Sequence, residues 1–373
     1  MKTVKKMLKP SLVLLCTAIS FPLFAQFSQV GNILSTGVND AEKIMNAYVS
    51  PFANGMGASL SGGWYNTAKP HKLGGFDITI TANVVIIPSS DKTFDPAALG
   101  LGDPANGLNV VVDGNNSPTV AGKNETGSQL TYTQDVFGTP DQSDDVLFTQ
   151  FNLPKGSNLA YSFMPMAQVG IGLVKGTEII GRYSPELKYG KSGKLGLWGV
   201  GLKHDVLQWI PGLSKLPILN ISLHGGYTKL SSTNDINFQP EFYEPILGAG
   251  SISNFFPEMY DNQQMLMDIS NLTANLLVSV DLPVICIYGG VGVSSNKTIL
   301  ELAGTYPMAA LQGTSFVVDE STAIKNPINM EIKSTDVRLN AGFRIKMAVV
   351  TLHFDYTYAN YSIATAGLGI SLR

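Results

Sequence analysis

Residues 75–88 read GFDITITANVVIIP. Phe76, Ile78, Ile80, Ala82, Val84 and Ile86 fall on one parity, and Asp77, Thr79, Thr81 and Asn83 on the other. Successive side chains of a strand point to opposite faces, so this alternation predicts a strand with one apolar and one polar face. The pattern returns near the C-terminus. Val337, Leu339, Ala341, Phe343, Ile345 and Met347 share one face, with Arg338, Asn340, Arg344 and Lys346 on the other. A soluble sandwich would hide its apolar face. A membrane barrel turns that face to lipid and the polar one to a wet lumen.

The N-terminus favours the membrane. Lys2, Lys5, Lys6 and Lys9 precede an apolar run from Ser11 to Ala25, which reads as a secretory signal peptide over residues 1–25. Beyond it one cysteine remains, Cys286, so no internal disulfide is expected. The net charge of −3 argues against a nucleic-acid partner. Charged residues make up 14% of the chain, against roughly 25% in soluble domains. Glycine is abundant, with 38 residues. These features predict an all-β protein, a transmembrane antiparallel β-barrel in the cell outer membrane. The apolar run 274–294 is broken by Asp281-Leu282-Pro283 and reads as two strands and a hairpin, since proline would interrupt a helix.

Ten strands are legible: 75–87, 160–174, 177–189, 195–205, 218–229, 272–281, 284–294, 335–347, 350–358 and 364–372. Further strands inside the loops would raise the count, so the expectation is about 12, within a range of ten to fourteen. The connections alternate in length. Lys175-Gly176, Leu282-Pro283 and 346–349 are tight, whereas 89–158, 231–265 and 297–334 are long. Outer-membrane barrels keep short turns in the periplasm and long loops outside, which makes the three long segments extracellular. The first of them carries Asp91, Asp95, Asp103, Asp113, Asp135, Asp141, Asp144 and Asp145. Pro165 interrupts its strand, as a strand end that has left the membrane or as a gap in the wall, and Pro185 raises the same choice.

Residues 26–74 precede the barrel of residues 75–373. Asn39 and Asp40 can cap a short helix through Tyr48, which Pro51 ends. A small-residue segment follows, with Gly55 and Gly57 leading to Trp64, Tyr65 and Asn66. It is plug-like, entering the barrel or lying against its periplasmic mouth.

The order GMGAS at 55–59, WYNTAKP at 64–70 and GGFDITITANVVIIP at 74–88 resembles the opening of the FadL-like family of outer-membrane transporters for hydrophobic compounds. There a small-residue hatch passes through an Asn-Pro-Ala-Gly turn into the first strand. Here Asn66 and Ala68 match that turn, and Thr67 and Lys69 depart from it. The chain as a whole also resembles a Bacteroidota family of outer-membrane barrels of unknown function. The FadL-like resemblance implies a fourteen-strand barrel, a luminal plug and passive uptake of greasy ligands. It covers residues 55–88 only and carries over no ligand-binding residue.

Strand parity places Arg182, Glu186, Lys188, Lys203, Asp205, Arg338, Arg344, Lys346, His353 and Asp355 in the lumen. A basic residue facing lipid costs about 2–4 kcal/mol, so these charges must face water or each other. They make either a polar conduit or ion pairs that fill a narrow barrel. Tyr183, Tyr189, Trp198, Tyr227, Phe354, Tyr356 and Tyr358 fall on the outward parity, as an interfacial aromatic girdle does. No G-x-S-x-G elbow or H-E-x-x-H pair occurs, and the histidines are scattered, so neither an enzyme nor a metal site nor a cofactor is expected. The expected partners are outer-membrane lipid and a small hydrophobic molecule. The competing expectation is a surface-interaction barrel acting through its acidic loops.

Overall fold

The computed structural model describes residues 30–139, 142–158, 160–189, 193–211, 216, 218–248, 251–252, 257–313 and 315–372. The signal-peptide reading lies outside the described residues. Ten long strands form the wall: β1 (Phe76–Ile86), β2 (Tyr161–Gly172), β3 (Thr177–Tyr189), β4 (Gly193–Asp205), β5 (Leu219–Asp235), β6 (Gln264–Asp281), β7 (Ile285–Ala303), β8 (Ile328–Met347), β9 (Val350–Tyr358) and β10 (Ser362–Leu372). Each is antiparallel to its chain neighbours, and β1 pairs with β10 to close the barrel. Phe76 stands opposite Leu372 and Ile86 opposite Ser362 along that closing ladder.

The barrel therefore has ten strands, and the expectation of about 12 is corrected. Extra strands do occur in the long connections, but they pair among themselves. Leu108–Asp113, Gln129–Gln134 and Val146–Asn152 make a three-stranded sheet outside the wall. One end of the barrel carries short turns, with Lys175, Gly176 and Ala348 in the left-handed conformation that tight reversals need. The other end carries the long connections.

Alternation is realised as side-chain placement. On β1, Ile78 and Ile80 are 50% and 46% exposed on the outer face, while Thr79 and Asn83 are fully buried. The outer face of β8 is apolar from Val337 through Leu339, Phe343 and Ile345 to Met347. At about 3.3 Å per residue and a tilt near 40°, that stretch makes a belt of about 25 Å.

Four strands outrun their apparent ends. β5 runs on to Asp235 instead of Lys229, β6 begins at Gln264 instead of Leu272, β7 runs on to Ala303, and β8 begins at Ile328 instead of Thr335. The loops 231–265 and 297–334 are correspondingly shorter than expected. In these extensions the chemistry of the two faces is exchanged. Met265, Met267, Ile269, Leu300, Leu302, Ile328, Met330 and Ile332 are buried inside. Outside stand Lys229, Asp268, Lys297, Glu331 and Lys333, joined by ion pairs between Lys229 and Asp268 (3.0 Å), Lys297 and Glu331 (2.6 Å), and Lys333 and Glu331. The strand continues while the apolar parity flips. A reading by parity stops at the flip.

The interior is occupied by the N-terminal segment. Helix α1 (Val30–Leu34) leads into α2 (Val38–Ser61), which contains Pro51. The expected stop at Pro51 is overturned. Interior proline costs a helix about 3 kcal/mol, but both flanks of this one are buried, and buried tertiary contacts outweigh propensity. Ile44, Met45, Tyr48 and Val49 lie in the core of the long-loop end, and Met56 and Leu60 lie within the wall. Residues of α2 touch β1, β2, β5, β6, β7, β8 and β10, strands from around the whole ring.

Candidate functional site: the barrel interior and its side seam

Where α2 ends, the wall holds the chain by its backbone. Arg182 on β3 donates to the carbonyls of Leu60 (2.9 Å) and Gly62 (2.7 Å), and its guanidinium lies 3.5 Å above the Trp64 ring. Arg338 on β8 donates to the carbonyl of Ser61 (2.7 Å), and Asn83 on β1 to that of Ser59 (2.7 Å). Helix C-termini leave carbonyls without partners. Guanidinium forks satisfy several at once. Trp64 itself sits in a slot made by two facing glycines, Gly201 on β4 and Gly226 on β5. A Cβ on either would come within 2.7 or 2.6 Å of the ring.

A second group closes the short-turn end. Arg344 bonds Asn66 Oδ1 (3.0 Å) and pairs with Asp281 (3.1 Å), whose carboxylate also accepts from Thr67 and Asn220. Glu178 pairs with Lys203 (3.1 Å) and accepts from both the backbone N–H of His71 and His71 Nδ1 (2.8 Å each). His71, Asp77 and Glu178 bring three potential metal-ligand atoms within 4.8 Å of one another. Every one of these groups is already engaged. Asp77 accepts from Gly170 N–H and Thr79, and His71 Nε2 meets Ser371 Oγ. The Lys203 ammonium supplies the positive charge that a cation would bring. The cluster reads as an internally hydrogen-bonded lock.

The predicted lumen residues divide into three sets. Arg182, Lys203, Arg338, Arg344, His353 and Asp355 are buried inside. Asp355 accepts from Asn340 (2.8 Å) and Tyr288 (3.0 Å), and His353 packs against Gly367. Asp205 and Lys346 are half-buried at the short-turn end, where Asp205 accepts from Leu207 N–H. Glu186 and Lys188 are corrected: both are exposed, with Glu186 4.0 Å from Lys194. A β-bulge between Ser184 and Leu187 breaks the alternation just before them. Of the hatch-like residues, Gly57 lies against Asn296, where a Cβ would come within 2.8 Å, and Gly55 has ordinary contacts. Trp64, Tyr65 and Asn66 are buried. Sequence reasoning omitted Glu178, although it shares the parity of Arg182. It also left His71 in a turn, where nothing local marks its distant partner.

The wall is unevenly zipped. β2 pairs with β1 along its whole length, from Tyr161–Ile86 to Ile171–Phe76. Against β3 it pairs only from Gly172–Glu178 to Ala167–Tyr183. Among the described residues no β2–β3 pair forms above that point. Continuing the same register would set Pro165 opposite Pro185, two residues without a backbone N–H. Pro165 thus lies within β2 and beside an open ladder, at an unpaired seam. Behind the seam lies an apolar cluster: Met164 and Met166 from β2, Met56 and Leu60 from α2, Leu197 from β4 and Met267 from β6. Met267 belongs to the stretch above the flip, so the cluster sits where the interior turns apolar; below it the interior of the belt is mostly polar. A small cavity of about 10 Å³, the size of one water, lies across the barrel between Ser61, Asp336 and Arg338.

At the long-loop end Asp40 accepts from Tyr132 (3.1 Å), and burial followed by the Asp40 charge pushes the Tyr132 phenol far above its usual range. Among the described residues no helix is long and apolar enough to cross a membrane.

A family model matches residues 1–372. The chain belongs to the family of unknown function DUF6588. No curated protein matches it. Among solved structures it is similar to Ail, the attachment invasion locus protein of Yersinia pestis, at 8% identity and a TM-score of 0.25, over 80% of this chain and 97% of that one. The translocator domain of the autotransporter NalP from Neisseria meningitidis matches at 9% identity and a TM-score of 0.27, over 88% and 97%. The P. putida toluene transporter TodX matches at 9% identity and a TM-score of 0.23, over 80% and 67%. Likeness this loose has no bearing on substrate or partner.

Proposed function

We propose that this DUF6588 protein is an outer-membrane barrel whose long loops face the cell exterior, and that it binds and passes a small hydrophobic molecule through the β2–β3 seam. The carrying observation is the methionine cluster directly behind the unpaired edges. Methionine is flexible and polarizable and adapts its packing to apolar guests. The cluster stands where the interior changes from polar to apolar, and the seam opens just beyond Tyr183, which with its partner Trp198 is exposed on the outer face. The apolar belt supports the membrane setting. The segment 55–71 acts as a plug in this reading, as the FadL-like opening implies. The axis is filled, so passage is sideways.

The test uses purified protein and N-phenyl-1-naphthylamine, a small hydrophobic fluorophore. Saturable binding is expected, and replacing Met164 and Met166 with Asn should weaken it about tenfold, the effect of losing roughly 1.4 kcal/mol of apolar contact. A Pro165→Cys, Pro185→Cys pair in a Cys286→Ser background, oxidised to bridge the seam, should stop uptake into liposomes, and reductant should restore it. Absence of saturable binding by the unaltered protein ends this reading. A second reading rests on the charge of the long connections: residues 87–160 hold nine Asp or Glu against three Lys, and 236–263 hold four against none. Under it, deletion of residues 92–155 abolishes attachment to a surface partner and leaves fluorophore uptake intact.

A further inference from the structure

The path of the N-terminal segment has two fixed ends. At the long-loop end, α1 and the first half of α2 are part of one apolar core with Leu130, Tyr132, Phe148, Phe151, Tyr243 and Phe316 from the connections. Polar contacts fasten the same place. Asp40 accepts from Gly102 N–H (2.5 Å), Lys43 Nζ donates to the Gly100 carbonyl (2.6 Å), and Tyr48 Oη donates to the Lys155 carbonyl (2.8 Å). At the short-turn end, His71 is held by Glu178 on β3 and by Ser371 on β10, and Gly75 donates its N–H to the Lys72 carbonyl and accepts from Gly172 N–H. Between the two ends lie the 24 residues of α2, a rod of about 36 Å, followed by Gly62 to Pro70. The chain thus runs the length of its own lumen before β1 begins at the short-turn end.

We infer a further activity: the barrel carries its own N-terminal segment, residues 30–61, across the membrane and presents its first turn on the same face as the long loops. This rests on the orientation proposed above. β1 begins and β10 ends at the short-turn side, whereas α1 sits on the opposite side. The segment must therefore cross outward through the lumen before the arginine contacts close around it. The core of the long-loop end includes Ile33, Leu34, Ile44 and Met45 and is incomplete until they arrive. Burial of those side chains favours the crossing and then retains it. The finished molecule is tethered at both ends, and the plug cannot withdraw as a unit to either side.

The test is cysteine labelling of intact Gram-negative cells with a membrane-impermeant maleimide, in a Cys16→Ser, Cys286→Ser background. Asn39→Cys and Asn46→Cys report the segment, Val111→Cys reports the long connections, and Lys72→Cys reports the short-turn end; all four positions are exposed. The expected result is labelling of Asn39→Cys and Asn46→Cys in intact cells to the same extent as Val111→Cys, with Lys72→Cys labelled only after the outer membrane is permeabilised. Labelling of Val111→Cys without Asn39→Cys or Asn46→Cys in intact cells overturns the inference and leaves the orientation standing. Labelling of Lys72→Cys instead of Val111→Cys in intact cells overturns the orientation, and the inference with it.

Discussion

Glu178 shows how a buried charge is made tolerable in a barrel this narrow. It has Lys203 on one oxygen and His71 on the other, with both acid and lysine almost fully buried. Removing one member strands the rest, at a cost of about 3–5 kcal/mol. Lys203→Met is therefore expected to lower the unfolding midpoint in detergent and urea sharply, and Lys203→Met with Glu178→Gln to recover most of it. Lys229 and Asp268 are exposed partners, and such pairs contribute about 1 kcal/mol or less; Lys229→Ala should leave the midpoint nearly unchanged. The Trp64 slot makes a second prediction. Gly226→Val overpacks the slot at a cost of about 1–3 kcal/mol, and Trp64→Leu in the same chain should restore part of the loss in the same assay. Parity legibly put Arg182, Lys203, Arg338 and Arg344 inside, because a charge in the belt has one affordable direction. It failed at Glu186 and Lys188, where a bulge that no local residue pattern announces shifts the register.

Strands β6, β7 and β8 carry two environments in one element. Below the flip the outer face is apolar and the inner face polar; above it the arrangement of a water-soluble barrel takes over. An added charge on the outer face should then be costly on one half and nearly neutral on the other. Leu339→Arg, on the belt, is expected to cost about 2–4 kcal/mol. Asn329→Arg, on the outer face above the belt, should stay within about 0.5 kcal/mol. Folding titrations into lipid bilayers measure both. Equal effects at the two sites would remove the belt boundary from between Asn329 and Leu339. Every one of the ten wall strands was visible as a run of alternation, since each crosses the belt once. Their extensions were not, because alternation there has the reverse sign. Helix α2 was visible only to its proline, whose local penalty is outweighed by contacts made with strands far along the chain.

At the scale of the molecule, a helix touches strands around the ring and is held at both ends; on the proposed reading it plugs the barrel against ions. Planar-bilayer recordings of the unaltered protein should show no steady conductance. Arg182→Ala with Arg338→Ala releases four carbonyl and ring contacts and should produce flickering openings; a steady open pore in the unaltered protein would contradict the filled axis. Alternation with period two, few charges and the placement of tight turns determined a wall of antiparallel strands with an apolar outside, since those are properties of each strand and its immediate neighbours. Tertiary structure alone decided that ten strands suffice to close the ring, that the N-terminal helix lies within it, and that one edge of the wall stays unpaired. Closure, filling and pairing depend on which distant residues meet, as His71 meets Glu178 and Arg182 meets the carbonyl of Gly62, and no local pattern encodes a meeting.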